Sequence, residues 1–492
     1  MQPTLERRAL FWIAVAAIAA VTALRVAVLV ASPLQLYPDE AQYWWWAQTP
    51  DLGYFSKPPL IAWIIRLTTF LFGDSEWAIR LAIPLLHGAT ALVIFEIGRT
   101  AYRADPRVAL WSALAYLTAP GISYSSGLAS TDPPLLFFAA LALLAFLHAL
   151  QKPGWRWPIL CGAAVGLGLL AKYAMVYFVI GVAVAAIARP EVRKLFASAR
   201  GLAMPAIAAF IFAPNIGWNI AHGFPTFVHA LANANWSRAH YDPLHLAAFL
   251  AGQFGVFGPI LMAGWLVALW RIGRSREPTV ADIVLCALSV PPLVVIAVQA
   301  VISQANANWA ATAYVAASPL AIGEILRRWP RWTLPASFAL HATVIAVLWL
   351  ILLQPAAADR LGLGNVFKRE EGWRQLGECV AAEASRGGYG IVAADNRSIL
   401  AELLYYSRPN RFAMRIWAPD MTSRNHFEMT LRLTPPAPRV LLVLAPESAG
   451  PVLATFESTH LLATVSTPVG GRQLRVLRLY DARFYRGPQL RS

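Results

Sequence analysis

Apolar residues run almost unbroken for about 20 positions at a time along most of this chain, the length that crosses the hydrocarbon of a bilayer. The first run covers 9–31 and follows Arg7 and Arg8. Others lie at 79–101, 108–126, 133–150, 202–221, 246–270, 280–303, 309–326 and 333–354. Basic residues gather in alternate short connections, such as Arg99, Arg103 and Arg107, or Arg327, Arg328 and Arg331. Excess Lys and Arg mark the cytoplasmic side, so these connections and the N-terminus are predicted inside. The run 158–188 is informative because both its flanks are basic: Lys152 and Arg156 before it, Arg189, Arg193, Lys194 and Arg200 after. With both flanks inside it must cross twice, turning near Ala171, Lys172 and Tyr173. That brings the count to about eleven spans and leaves every basic short loop inside.

Between the first two runs lies a long amphipathic loop, 32–78, predicted outside, with Ile61–Phe72 patterned as a helix in the interface. After about residue 358 the pattern changes, as charges become frequent and apolar runs shorten. Trp373–Ser385 and Ile399–Tyr406 read as helices. Gly390–Ala394 and Arg439–Leu444 read as buried strands, and Leu462–Val465 with Leu474–Leu479 as a hairpin around Gly470 and Gly471. The expected organisation is a membrane domain over 1–357 and a small soluble α/β domain over 358–492 on the outer, periplasmic face.

Composition agrees with that reading. Of 492 residues 58% are apolar and only 14% charged, which excludes an ordinary soluble enzyme. The net charge of +15 lies mostly in the short inner loops. It therefore reports topology, and no nucleic-acid partner is expected, since no basic face is interleaved with exposed aromatics. Cys161, Cys286 and Cys379 form neither a disulfide framework nor a metal pattern. The run after Arg8 is too long for a cleaved leader and precedes no small-residue cleavage site, so it is read as a first spanning helix.

Polar residues are sorted by side. Asp39, Glu40, Lys57, Asp132, Lys172, Asn215, Asn219, His222, Arg238, His240, Gln253, Asn306 and Asn308 all fall at outer helix ends or in outer loops. Acidic and amide groups collected at one membrane face predict a polar chamber, the default place for a binding or active site. A carboxylate there takes a proton from an incoming hydroxyl. Lysines and arginines hold a phosphate and stabilise it as it leaves. Aromatics such as Tyr43, Trp44, Tyr54, Tyr173 and Trp218 stack on sugar rings or sit at headgroup depth. These parts suit transfer of a sugar from a lipid phosphate to a hydroxyl.

Seven segments, in order, carry a resemblance. They are Pro38-Asp39-Glu40-Ala41-Gln42-Tyr43-Trp44, Gly53-Tyr54-Phe55-Ser56-Lys57-Pro58-Pro59, Asp132-Pro133, Gly168-Leu169-Leu170-Ala171-Lys172-Tyr173, Ala213-Pro214-Asn215 with Trp218-Asn219, His222-Gly223-Phe224, and Asn308-Trp309-Ala310-Ala311. The set resembles glycosyltransferase family 39 and its relatives, polytopic enzymes of the C-type glycosyltransferase fold. They include protein O-mannosyltransferases and lipid A aminoarabinose transferases. The resemblance covers the membrane part, about two-thirds of the chain. It implies inverting transfer from a polyprenyl-phosphate sugar, such as an undecaprenyl-phosphate one, at the periplasmic side of a bacterial inner membrane. The acceptor is a glycan, lipid or protein. In this light Asp39 matches the general base or acceptor-binding carboxylate of the first loop, and Lys57 matches a donor-phosphate contact. Lys172 and Arg238 join it as cations, and Tyr43, Tyr54, Asp132, Tyr173, Asn215, Trp218, His222, His240 and Asn308 line the substrates. One departure concerns metal. The aminoarabinose transferases carry Glu before that lysine, whereas this chain has Ser56. A divalent ion would have to rely on Glu40 with His222 or His240.

Each candidate has a plainer reading. Asp39 and Glu40 follow Pro38 at a helix start and suit its positive end. One of two neighbouring residues must point away. Lys57 serves equally as a headgroup anchor, and Asp132 before Pro133 as a helix cap. The rival function is a transporter or flippase for the same lipid-linked sugar. It would need polar contents on both sides of the membrane, and the polarity here is one-sided.

Overall fold

A computed structural model of the chain describes residues 3–234, 241–409, 411–471 and 473–487. They divide into two compact units. One comprises Met1–Val30, Lys57–Ile61 and Arg80–Trp349; the other comprises Ala31–Ser56, Ala62–Ile79 and Leu350–Ser492.

The first unit is helical. Among the described residues, six helices are long and apolar enough to cross a membrane, or up to eight if each of two sharply bent pairs is one span. Leu5–Ala31, Asp132–Gln151, Ala199–Ala221, Val280–Ile302 and Thr333–Leu353 match runs in the sequence closely. The run 158–188, expected to cross twice, breaks where expected. One helix ends at Ala171, Lys172 is extended (φ −161°, ψ 136°), and a new helix begins at Val176 after one 3₁₀ turn.

Two runs read as single helices are broken in the structure. The segment 246–270 forms Pro243–Phe257 and Pro259–Arg274, bent by 108°. Gly258 at the joint has φ +96°, and Pro259 cannot continue the preceding ladder. The segment 108–126 divides at Ala119-Pro120. Buried Arg25 steadies that division, as its Nη2 donates to the Leu117 carbonyl at 2.5 Å and to Ser123 Oγ at 3.1 Å. A cation at a helix C-terminus meets the negative end of the backbone dipole. Small residues let two other helices approach closely. A Cβ on Gly162 would stand 2.6 Å from the Met204 carbonyl, and one on Gly166 2.8 Å from the Ile211 side chain. That is the close backbone contact membrane helices use in place of a hydrophobic drive.

The second unit is α/β. Its five-stranded sheet has the order β2-β1-β3-β5-β4, with β1 Ile391–Ala394, β2 Ala413–Ile416, β3 Arg439–Leu444, β4 Phe456–Pro468 and β5 Leu474–Tyr485. β1 runs parallel to both β2 and β3, and β5 joins antiparallel. β2 escaped the sequence reading, being four residues long and interrupted by Arg415. The hairpin is longer than the pattern suggested, because β4 has exposed and half-exposed positions along most of its length.

Apart from Lys57–Ile61, the loop 32–78 belongs to this unit, held by specific bonds. Gln35 Oε1 accepts from the amides of Trp373 (2.7 Å) and Arg374 (2.9 Å), capping the Trp373–Gly387 helix. The Leu36 amide donates to Tyr406 Oη at 2.7 Å. Trp44 packs edge-on against Tyr405 and donates to Asp74 Oδ1 at 2.7 Å.

Candidate functional site

Within the α/β unit the site begins at the Pro38–Gln48 helix. Pro38 at its first position supplies the fixed φ of a helix start. The two carboxylates that follow are treated differently. Glu40 is fully buried and its Oε2 accepts from the Tyr37 amide at 2.9 Å, closing the first turn. Asp39 stays 41% exposed, and its Oδ1 accepts from Arg397 Nη1 at 2.8 Å. The same nitrogen donates to Gln42 Oε1 at 2.9 Å. Arg397 thus spans one turn of the helix, from Asp39 to Gln42.

Arg397 owes its position to sheet topology. It opens the Arg397–Tyr406 helix directly after β1, whose neighbours β2 and β3 lie on opposite sides. The carboxyl end of such a strand is where α/β sheets open a crevice. Asn396 caps the helix, its Oδ1 accepting from the Ser398 amide at 2.8 Å. Sequence reasoning missed Arg397. The only local signal was an Asp-Asn-Arg-Ser loop between a strand and a helix, which says nothing of a partner some 358 residues away.

The aromatics of this half are packed. Tyr54 stacks on Trp46 at 4.4 Å with rings 3° apart, and its Oη donates to the Trp46 carbonyl at 3.0 Å. Burial pushes the Tyr54 phenol up to about 12. Tyr43 is buried against Trp46. Both stiffen the helix that carries Asp39.

Within the helical unit a second group forms around Asp132. Lys172 Nζ donates to Asp132 Oδ1 at 2.5 Å, and Asn308 Nδ2 donates to Asp132 Oδ2 at 2.8 Å. Asp132 opens its helix, Lys172 sits at the break before Tyr173, and Asn308 lies in the Ala307–Ala310 turn. Next to Lys172, Tyr173 Oη donates to Asn215 Oδ1 at 2.8 Å, and Asn219 Nδ2 donates back to Tyr173 Oη at 3.3 Å. Trp218 stacks on His222 at 4.2 Å, and His222 Nδ1 lies 2.8 Å from the Trp218 carbonyl. Lys57 is half-buried in the turn before the Leu60–Phe72 helix. Arg238 and His240 lie outside the described residues.

The donor set for a divalent ion is not assembled among the described residues, where no three His, Cys, Asp or Glu side chains come together. Glu40 is engaged as a cap and His222 with a carbonyl.

Residues 56–218 match the family model described as dolichyl-phosphate-mannose-protein mannosyltransferase. The chain is 36% identical over 415 residues to the lipid A galacturonosyltransferase RgtD of Rhizobium johnstonii, covering 83% of this chain and 85% of that one. It is 33% identical over 152 residues to an undecaprenyl phosphate-alpha-4-amino-4-deoxy-L-arabinose arabinosyl transferase of Pseudomonas aeruginosa, 27% of each chain. Among solved structures, ArnT from Cupriavidus metallidurans bound to undecaprenyl phosphate is similar in fold. Its TM-score is 0.67 at 18% identity, over 95% of this chain and 97% of that one.

Proposed function

The chain belongs to the family of polyprenyl-phosphate-dependent glycosyltransferases of the C-type fold, and from that premise we propose that it transfers a uronic acid, galacturonate, to a hydroxyl of lipid A. It is a multi-pass membrane glycosyltransferase drawing on a polyprenyl-phosphate sugar. The choice of galacturonate and lipid A rests on the long match to the Rhizobium johnstonii enzyme.

In this proposal Asp39 takes the proton of the acceptor hydroxyl. The oxygen attacks the anomeric carbon from the face opposite the phosphate, a new C–O bond forms, and the bond to the phosphate oxygen breaks with its electron pair. The configuration inverts and polyprenyl phosphate leaves. Lys172 and Lys57, with Arg238, hold the phosphate and meet its growing negative charge. Asp132 and Asn308 steer the Lys172 ammonium, supported by the 2.5 Å and 2.8 Å contacts. Tyr173, Asn215, Trp218, His222 and His240 are the residues we assign to the polar and aromatic lining for substrate.

The topology we assign is about eleven spans, with the N-terminus and basic loops cytoplasmic in a bacterial inner membrane. The soluble domain after residue 357, and the loop 32–78, are assigned to the periplasm.

The observation that carries the reading is the unequal fate of the paired carboxylates. Glu40 is spent on the fold and Asp39 is presented, half-exposed and held by an arginine. The experiment is transfer from polyprenyl-phosphate galacturonate to lipid A by purified Asp39→Asn, alongside the wild type. Loss of transfer with retained donor binding is expected. Wild-type turnover would remove Asp39 as the base.

A further inference from the structure

At the far end of the Asp132–Gln151 helix, about 30 Å along its axis from Asp132, the helical unit has an open pocket of about 210 Å³. Arg7, Arg99, Arg103, Lys152 and His148 line it, with Tyr102 beside them. These residues come from three separate helices and the loops that follow them. No carboxylate is among the lining residues. Arg99 turns to Glu96 outside the lining, Arg7 donates to the Arg103 carbonyl at 2.9 Å, and Arg103 donates to Gln151. His148 is buried, and its Nδ1 finds no hydrogen-bond partner among the described residues.

A second cavity, of about 150 Å³, makes the comparison. It too is lined by arginines, Arg271, Arg327 and Arg328, but Glu277, Asp282 and Glu324 line it with them. Glu324 there meets Arg271 at 3.0 Å and Arg328 at 2.7 Å. That cavity balances its own charge. The first does not, and like charges gathered around one pocket call for a counter-anion. A basic loop placed only to orient the chain has no need to converge on a cavity around a buried imidazole.

The surroundings identify the kind of anion. Lys152 Nζ lies 5.4 Å and the Arg156 guanidinium 4.8 Å from the centre of the Trp157 ring, and Trp155 is exposed beside it. Tryptophans at the end of a spanning helix lie at headgroup level, where the accessible anions are phosphodiesters. We propose that this cavity binds the phosphate of an anionic phospholipid headgroup, with Arg7, Arg103 and Lys152 as its cationic contacts and His148 as a hydrogen-bond partner. The site is separate from the transfer chemistry and does not rest on it.

The test is retention of phosphatidylglycerol by the full-length protein, released from nanodiscs of phosphatidylcholine and phosphatidylglycerol and measured by native mass spectrometry. The variants are Arg7→Gln/Lys152→Gln, both exposed and therefore safe for folding, and the same pair with Arg103→Gln. Removing each cation should weaken retention about fivefold. Arg276→Gln/Arg331→Gln, which removes two charges outside the cavity, should retain lipid as the wild type does. Equal loss in that control, or undiminished retention in the cavity variants, overturns the proposal. A third arm adds inorganic phosphate at millimolar concentration. If it displaces the lipid and protects the wild type against heat as well as phosphatidylglycerol does, the lipid assignment falls and the site takes free phosphate.

Discussion

Replacing Arg397 by Ala separates its two consequences, one for stability and one for turnover. The Arg397–Asp39 contact is 2.8 Å long between side chains 38% and 41% exposed. At that distance the Coulomb attraction is about 1.5 kcal/mol in bulk water and about 6 kcal/mol at an effective dielectric of 20. Half-exposed groups lie toward the first figure, and the entropy of holding a long side chain subtracts from it. The net contribution to folding is therefore about 1 kcal/mol, a shift of a few degrees in Tm. The effect on transfer should be larger. Asp39 sits in the first turn of its helix, and without the guanidinium its carboxylate samples rotamers that do not face the acceptor. A general base contributes about 10²- to 10⁴-fold when positioned, and we expect about tenfold of that to be lost. Initial rates against acceptor and donor concentration would show a fall in kcat with donor KM unchanged. Arg397→Lys, which keeps the charge but not the reach to both Asp39 and Gln42, should recover part of the rate. The decisive comparison is the double variant. If Arg397 acts through Asp39, then Asp39→Asn/Arg397→Ala loses no more than Asp39→Asn alone. A further loss in the double variant, or a single variant with wild-type kcat, refutes the coupling.

Three other outcomes follow from named contacts. Lys172→Met should lower transfer by about 10²- to 10³-fold, the usual loss of one electrostatic stabiliser. Asp132→Asn, which keeps the residue's shape but not the Asp132–Lys172 ion pair, should cost less, as steady-state kinetics of the two would show. Gly258→Ala should destabilise the helical unit by about 2–4 kcal/mol, read as a fall in Tm in detergent. Its φ of +96° suits only glycine, and a Cβ there would lie 2.3 Å from His341 Nε2. Burial holds the Asp395 carboxyl above the usual carboxylate range, and its Oδ1 has no hydrogen-bond partner among the described residues. A carboxyl whose value is raised by folding binds its proton more tightly in the native state. Stability is then lost as pH climbs from the ordinary carboxylate value through the raised one. Asp395→Asn should accordingly gain stability relative to the wild type as pH rises from 4 to 7. Denaturation curves across that range would refute this if the difference stayed flat.

How much of this was legible in the sequence depends on the range of the interaction that decides each feature. Apolar runs fix a membrane helix locally, so the runs at 132–151 and 280–302 could be read within a residue or two. The break at Lys172 was legible for a different reason, since charge on both flanks of a long run forces an even number of crossings. Gly258-Pro259 held a local signal too, but a joint inside an otherwise continuous apolar run is outvoted when runs are measured by length alone. β2 is too short and too mixed to show a period, and it exists because β1 offers it an edge.

The site divides along the same line. Asp39, Lys172 and Asp132 announce themselves, because a charge beside or within an apolar run is costly and invites a reason. Arg397 cannot, because charge is ordinary in a soluble domain. What singles it out is a strand order that turns the loop after β1 toward the first loop, so that a guanidinium meets Asp39 and Gln42 together. The same logic separates Glu40 from Asp39. Adjacent in sequence and identical in charge, they differ in side-chain length by one methylene and in which side of a helical turn each faces. The buried one becomes part of the fold, and the other stays half-exposed in contact with Arg397, where we propose it acts as the base. In the proposed reaction the motif Pro-Asp-Glu supplies one cap and one base, and exchanging the two residues should abolish both roles at once.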